Sequence, residues 1–104
     1  MTVTSGNVLI NGSAKQLQVK GGAATDFIGQ ATLTNGTVTV ANTNIAATDR
    51  VFVTRSAKNG STAYGTFEIT ITAATNFVIT SCKSDTTTET NDASTVDYFI
   101  VRQV

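Results

Sequence analysis

The chain has no histidine, no proline and no tryptophan, one cysteine, and only seven residues of each charge in 104 positions. Without histidine, the Ser-His-Asp and Cys-His routes to a nucleophile are closed. With a single cysteine as well, the ordinary ligand set of a zinc site is missing. Cys82 has no partner for an intrachain disulfide, which fits folding in a reducing cytoplasm. No base neighbours it in sequence, and it reads as a small buried hydrophobe near a strand end. The lack of proline leaves edge strands without one common guard against pairing. The cations Lys15, Lys20, Arg50, Arg55, Lys58, Lys83 and Arg102 are scattered, whereas a nucleic-acid backbone calls for a cluster. No apolar run is long enough for a signal peptide or a membrane span. The sequence therefore points to no nucleic-acid partner, no membrane partner and no cofactor. Near-zero net charge also gives weak self-repulsion, so self-association costs little.

Threonine is abundant, at about a fifth of the residues. Its branched Cβ suits a pleated strand and lowers helix propensity. The tetrapeptide Ala-Ala-Thr-Asp/Asn occurs three times, at 23–26, 46–49 and 73–76, and each copy runs into an apolar stretch. A short polar side chain there can bond nearby backbone and close a turn. The unequal spacing of the copies does not make a solenoid.

Alternation supplies the strands. Lys15–Lys20 alternates polar and apolar. Asp26–Thr34 places Ala31 and Leu33 on one face. Asn35-Gly36 separates it from Thr37–Val40, the strongest short hairpin signal, because a type I′ turn needs positive φ at both central residues. Ala41–Asp49 is a polar connection anchored by Ile45. Arg50–Arg55 sets Val51 and Val53 on one face, and a second turn, Asn59-Gly60, follows. Ala63–Thr72 points Phe67, Ile69 and Ile71 one way. Asn76–Cys82 is apolar on both faces at its start, which predicts a covered strand. Ser84–Ser94 reads as a long exposed loop. In the last stretch, Val96, Tyr98 and Ile100 face away from Phe99 and Val101. No window sustains a helical period. The expected fold is all-β: a single jelly-roll-like β-sandwich of about seven or eight antiparallel strands over residues 1–104, with 1–22 as an N-terminal arm or clamp.

No catalytic constellation emerges. The carboxylates Asp26, Asp49, Glu68 and Asp97, the candidates for paired acid–base work on a glycoside, fall at turns or on exposed strand faces. Asp85, Glu89, Asn91 and Asp92 share one loop, but their spacing matches no calcium loop, and a solvated acidic loop is favoured. Gly21-Gly22 lacks the Lys-Ser/Thr and helix of a phosphate loop. Tyr64, in a turn rich in small residues, is the best exposed aromatic for contact with a glycan; its plainer role is packing over the end of the sandwich or at a subunit contact. The sequence thus offers no catalytic residue and no metal ligand set, and Tyr64 is its candidate glycan contact.

The stretch 29–45, its continuation Arg50–Arg55, then 71–81 and 92–101, resembles in order a β-rich module of tailed-bacteriophage virion proteins. Such modules stand at the C-termini of tail fibres and tailspikes and in small proteins that decorate heads. The resemblance implies a β-sandwich, often trimeric, and a virion component assembled in the host cytoplasm. It carries over no functional residue, since the shared phrases are strand and turn residues. With no N-terminal shaft before Met1, the first expectation is a capsid decoration or cement protein that adheres to the major capsid protein and to its own copies in a homotrimer. The alternative is the receptor-binding end of a tail fibre or tailspike, touching host polysaccharide through the loops Ser56–Tyr64 and Ser84–Ser94. An enzyme is not expected.

Overall fold

The computed structural model describes Gly6 and residues 9–103. Among them six strands form: β1 (Ile28–Thr32), β2 (Thr37–Ala41), β3 (Arg50–Ala57), β4 (Thr66–Thr72), β5 (Asn76–Cys82) and β6 (Thr95–Val101). They pair antiparallel in two three-stranded sheets, ordered β1-β6-β3 and β2-β5-β4. The expected all-β sandwich is met in this coarse form, but with six strands rather than seven or eight, so the full jelly roll is not built.

The missing strand is Lys15–Lys20. Its alternation is genuine, yet a strand is a pairing, and these residues are all exposed and have no partner strand among the described residues. Among the described residues, the first backbone hydrogen bond to the body is that of the Gly22 N–H, donated to the Ile28 carbonyl at 3.2 Å. Of the expected 1–22 arm, residues 1–5, 7 and 8 lie outside the described residues, as does Val104; the rest is exposed.

Alternation decides what each sheet buries. Val96, Tyr98 and Ile100 of β6 and Phe77 and Ile79 of β5 are buried from the central strands of the two sheets, joined by Leu33 and Ile45. Val51, Val53, Phe67, Ile69 and Ile71 pack around them half-buried. The two layers meet where the rings of Phe77 and Tyr98 stand edge-on, 5.1 Å between centroids at 76°, a geometry aromatic quadrupoles favour.

The turn at Asn35-Gly36 has positive φ at both residues, 51° and 82°, and Thr34 and Thr37 exchange both backbone hydrogen bonds. As a local reading the hairpin holds. Beyond that one pair the strands part, since β1 continues in one sheet and β2 in the other. Only β4 and β5 are consecutive strands paired in one ladder.

The three repeated tetrapeptides come together at one end of the sandwich. In the first two copies the Asp carboxylate accepts from the N–H of the leading Ala (3.0 Å at Ala23, 2.9 Å at Ala46), and the Asp N–H donates back to that Ala's carbonyl. The segment 42–45 stitches them. The Asn42 side chain donates to the Asp26 carbonyl and the Asn44 side chain to that of Thr25, while the Asn42 N–H donates to Thr75. The third copy is instead the β4–β5 turn, with Ala74 at φ 58° and its N–H donated to the Ile45 carbonyl at 2.8 Å.

A left-handed conformation costs an L-residue with a Cβ about 1 kcal/mol. Glycine relieves that and keeps the N–H, at some cost in unfolded-state entropy. We expect Ala74→Gly to stabilise the protein by about 0.5 kcal/mol, read as a higher midpoint in urea; a lower midpoint contradicts the strain.

Candidate functional site

The end of the sandwich opposite the tetrapeptide turns gathers the Asn35-Gly36 turn, the connection 58–65 and the loop 83–94. Its organising residue is Arg55. It continues the inward-facing series Val51, Val53 of β3 and so carries a cation toward the interior. There Asp92, fully buried, receives it: Arg55 Nη2 lies 2.6 Å from Asp92 Oδ2. The same oxygen accepts the Ser81 hydroxyl at 2.6 Å, and Oδ1 accepts the Ser94 hydroxyl at 2.6 Å and the Ser94 N–H at 3.1 Å. Arg55 Nε donates to Ser94 Oγ at 2.8 Å. Ser81 belongs to β5 and Arg55 to β3, so one carboxylate ties the two sheets and the long loop together.

Two glycines make this possible. Gly65 places its N–H 2.9 Å from Ser81 Oγ, and a Cβ there would stand 2.5 Å from that oxygen and from the Cys82 carbonyl. Gly36 lies against the Glu89 carbonyl at φ 82°, its N–H donated to the Asp92 carbonyl at 3.0 Å.

The reading of 84–94 as an exposed loop is therefore corrected in its second half. Residues 83–88 are exposed, but Glu89, Asp92 and Ser94 are buried. The cause is Asp92: once paired and hydrogen-bonded, its charge is more stable inside than an unmatched Arg55 would be alone. Sequence reasoning missed it. The available signal was Arg55 itself, a cation at an inward position, which requires an acid across from it.

Over this clasp lies an exposed corner. The Tyr64 ring is 44% exposed, with the Arg55 guanidinium 5.0 Å and the Lys58 ammonium 5.7 Å from its centroid, and its hydroxyl donates to the Ser61 carbonyl at 3.1 Å. The loops 56–64 and 84–94 are joined here. The Asn59 side chain donates to the Ala93 carbonyl at 3.1 Å and to Thr95 Oγ1 at 2.6 Å, and the Ala93 N–H donates to Ser61 Oγ at 2.8 Å. An aromatic face beside a flexible ammonium, on a backbone locked from beneath, suits shallow contact with a polyhydroxylated surface.

The remaining candidates do not converge. Asp26 serves its turn. Glu68 lies on the outer face of one sheet beside the Cys82 thiol, and Asp97 on the outer face of the other, accepting from Gln30. Asp85 accepts the Thr87 hydroxyl and N–H, which hold its carboxyl below the usual range. Glu89 accepts the Asn91 N–H. Among the described residues no three His, Cys, Asp or Glu side chains could share a metal ion. Burial, then Glu68, pushes the Cys82 thiol up, so it is a poor nucleophile.

Asp49 forms a second clasp at the other end, accepting Arg102 Nε at 2.7 Å and Nη2 at 2.9 Å. Arg102, with the Ala46 N–H, lowers its carboxyl to about 2 against the opposing effect of burial. For Asp92, burial is the largest influence and would raise it. The Ser81 and Ser94 hydroxyls, the Ser94 N–H and Arg55 together outweigh burial and hold it at about 2. Both folded values lie below the unfolded one, so their stabilisation is present above about pH 4 and is lost as pH falls toward 2. We expect stability measured in urea to be flat from pH 7 to 5 and to fall steeply between pH 4 and 2. Asp92→Asn should cost about 3 kcal/mol at pH 7 and make that fall shallower; an unchanged acid limb in this variant contradicts the clasp.

Searches of curated proteins and of solved structures find no match to the chain. A family model does match, over residues 23–101: K1 capsule-specific polysaccharide lyase, C-terminal domain. The match begins at the first repeated tetrapeptide and runs through β6, so it takes in both clasps' acids, all six strands and the Tyr64 corner. It sustains the phage resemblance at the level of a tail-associated module of tailspike type, and gives no support to capsid decoration. The chain belongs to the family of K1 capsule-specific polysaccharide lyase C-terminal domains.

Proposed function

We propose that this protein is the C-terminal receptor-binding domain of a phage tail fibre or tailspike, contacting host polysaccharide. The observation that carries this reading is the family match across 79 residues, 23 to 101, to the C-terminal part of a lyase directed at a capsular polysaccharide. Residues 1–104 act as one sandwich domain, and three copies associate. Adhesion to a capsid, the other reading of the phage resemblance, has no such support. The domain does no chemistry of its own in this proposal; it holds a polymer.

The corner of Tyr64, Lys58 and the joined loops 56–64 and 84–94 is the contact we assign. The geometry favours it over the strand faces for two reasons. The corner stands at the opposite end from both Ile28, where β1 begins, and Val101, where β6 ends, so it is the far tip of the module. Its backbone is fixed by the Asp92 clasp, so little ordering entropy opposes binding. Tyr64 supplies the apolar face for a sugar ring. Lys58, which makes no ion pair among the described residues, supplies a mobile cationic donor.

The test is binding of the purified protein to capsulated host cells or to an array of capsular glycans. We expect Tyr64→Ala to weaken binding roughly tenfold or more, with Lys58→Ala weakening it less and more strongly at low salt. Because both side chains are exposed, both variants should keep the wild-type melting temperature within about 2 °C. Full binding by Tyr64→Ala removes this corner from the proposal, and no binding by the wild type to any capsule removes the receptor role.

A further inference from the structure

The outer faces of the two sheets differ in kind. Strand register places Thr37, Thr39, Thr66, Thr70, Thr72 and Thr80 on the outside of β2-β5-β4, around Val78 and Glu68. On the outside of β1-β6-β3 the register instead lines up Ile28, Phe99 and Phe52 in one row across all three strands, with Val101 two positions along β6. Phe52 is 59% exposed and Phe99 40%. A shallow groove of about 220 Å³ runs along this row, with Thr54 and Asp97 at its polar side. Two phenylalanines on a solvent-facing row contribute nothing to the core described above, and such a patch marks a contact surface.

A second set of uncovered apolar side chains lies on the same chain. Leu9, Ile10, Leu17 and Val19 are all exposed, Leu17 by 65%. Around Leu17 and Val19 the sequence, bounded by Lys15 and Lys20, keeps a strand's alternation without a partner strand among the described residues. The segment joins the body at the border of the apolar row, where Gly22 bonds Ile28, and in this chain it does not lie over the row. The two sets match in kind: the segment brings aliphatic side chains with Lys15 on their face, and the sheet brings aromatic rings with the Asp97 carboxylate on one side of the row and Arg50 on the other. Among the described residues no further strand pairs with β1 or β3, the two edges of this sheet.

The geometry points to a second copy of this chain as the occupant: residues 15–20 of one copy lie across the Ile28–Phe99–Phe52 row of the next. Leu17 and Val19 pack on the rings, and Lys15, on the same face of the extended segment, lies toward Asp97. The contact is head-to-tail, one copy giving its segment and the next giving its face, the kind that closes into a ring where the rotation between copies closes. It rests on the self-association in the proposed function and adds the two surfaces that make it. It leaves the Tyr64 corner of every copy free.

Sedimentation equilibrium of the full 104-residue chain tests it, with three double variants. Phe52→Lys/Phe99→Lys alters the face, Leu17→Asp/Val19→Asp alters the segment, and Thr39→Lys/Thr70→Lys alters the other sheet as a control. All the altered residues are exposed or half-buried strand-face or arm positions, and circular dichroism confirms that each variant is folded. We expect the wild type and the control to sediment as the same multiple of the chain mass. The face and segment variants should each associate roughly tenfold more weakly or not at all. Assembly of both variants like the wild type overturns the two surfaces while self-association stands. A wild type that remains monomeric throughout overturns the surfaces and self-association together.

Discussion

One buried carboxylate holds this fold in register. A six-stranded sandwich of this size has a thin core, and its two sheets are linked in the chain by connections that change sheet at almost every step. Dispersion between Phe77 and Tyr98 brings the layers together, but apolar packing tolerates sliding. The Asp92 carboxylate does not. It accepts from Arg55 on one sheet, from Ser81 on the other, and from Ser94 at the start of β6. Each bond is directional, and leaving any one of these groups unpaired in the interior costs more than the bond itself returns. The clasp therefore specifies one arrangement of sheets and loop rather than merely adding stability. Asp49 and Arg102 join the ends of β3 and β6 within one sheet, so among the described residues each end of the sandwich has an Asp–Arg pair.

This constraint leads directly to the surface. The loops 56–64 and 84–94 would be long and mobile on their own. Anchored from beneath through Arg55 and Asp92, and laced together through Asn59 and Ser61, they present Tyr64 and Lys58 on a fixed base. The guanidinium that neutralises Asp92 is also the one that lies beside the Tyr64 ring. Structure and the proposed binding thus share a residue: loss of the buried pair should disturb the corner even though Asp92 itself is nowhere exposed.

Much of this was legible in the sequence because alternation reports burial directly. The inward sets Val96/Tyr98/Ile100 and Phe67/Ile69/Ile71, the covered strand 76–82, the anchor Ile45 and the Asn35-Gly36 turn all follow from period and turn chemistry. Lys15–Lys20 misled because the same alternation exists without a strand to pair with, and pairing is not a local property. The hairpin at Asn35-Gly36 was right over one residue pair and wrong beyond it, since sheet assignment is decided by β5 and β6, more than 40 residues away in the case of Thr37 and Thr80. Asp92 was hidden in a run of Thr, Ser and acids that looks solvated. Only its pairing with an inward Arg55, 37 positions earlier, reveals it. The repeated tetrapeptide was correctly tied to turns, but that its three copies converge on the segment 42–45 is a fact of tertiary structure alone.

The most direct measurement is a residue-by-residue map of the contact: amide chemical shifts of the isotopically labelled protein, titrated with oligosaccharides released from the host capsule. The account predicts that perturbations concentrate in residues 56–64 and 84–94, at the clasp end, and leave the threonine-covered outer face of β2-β5-β4 unmoved. Perturbations centred on that threonine face, or at the tetrapeptide end with the loops silent, would contradict it.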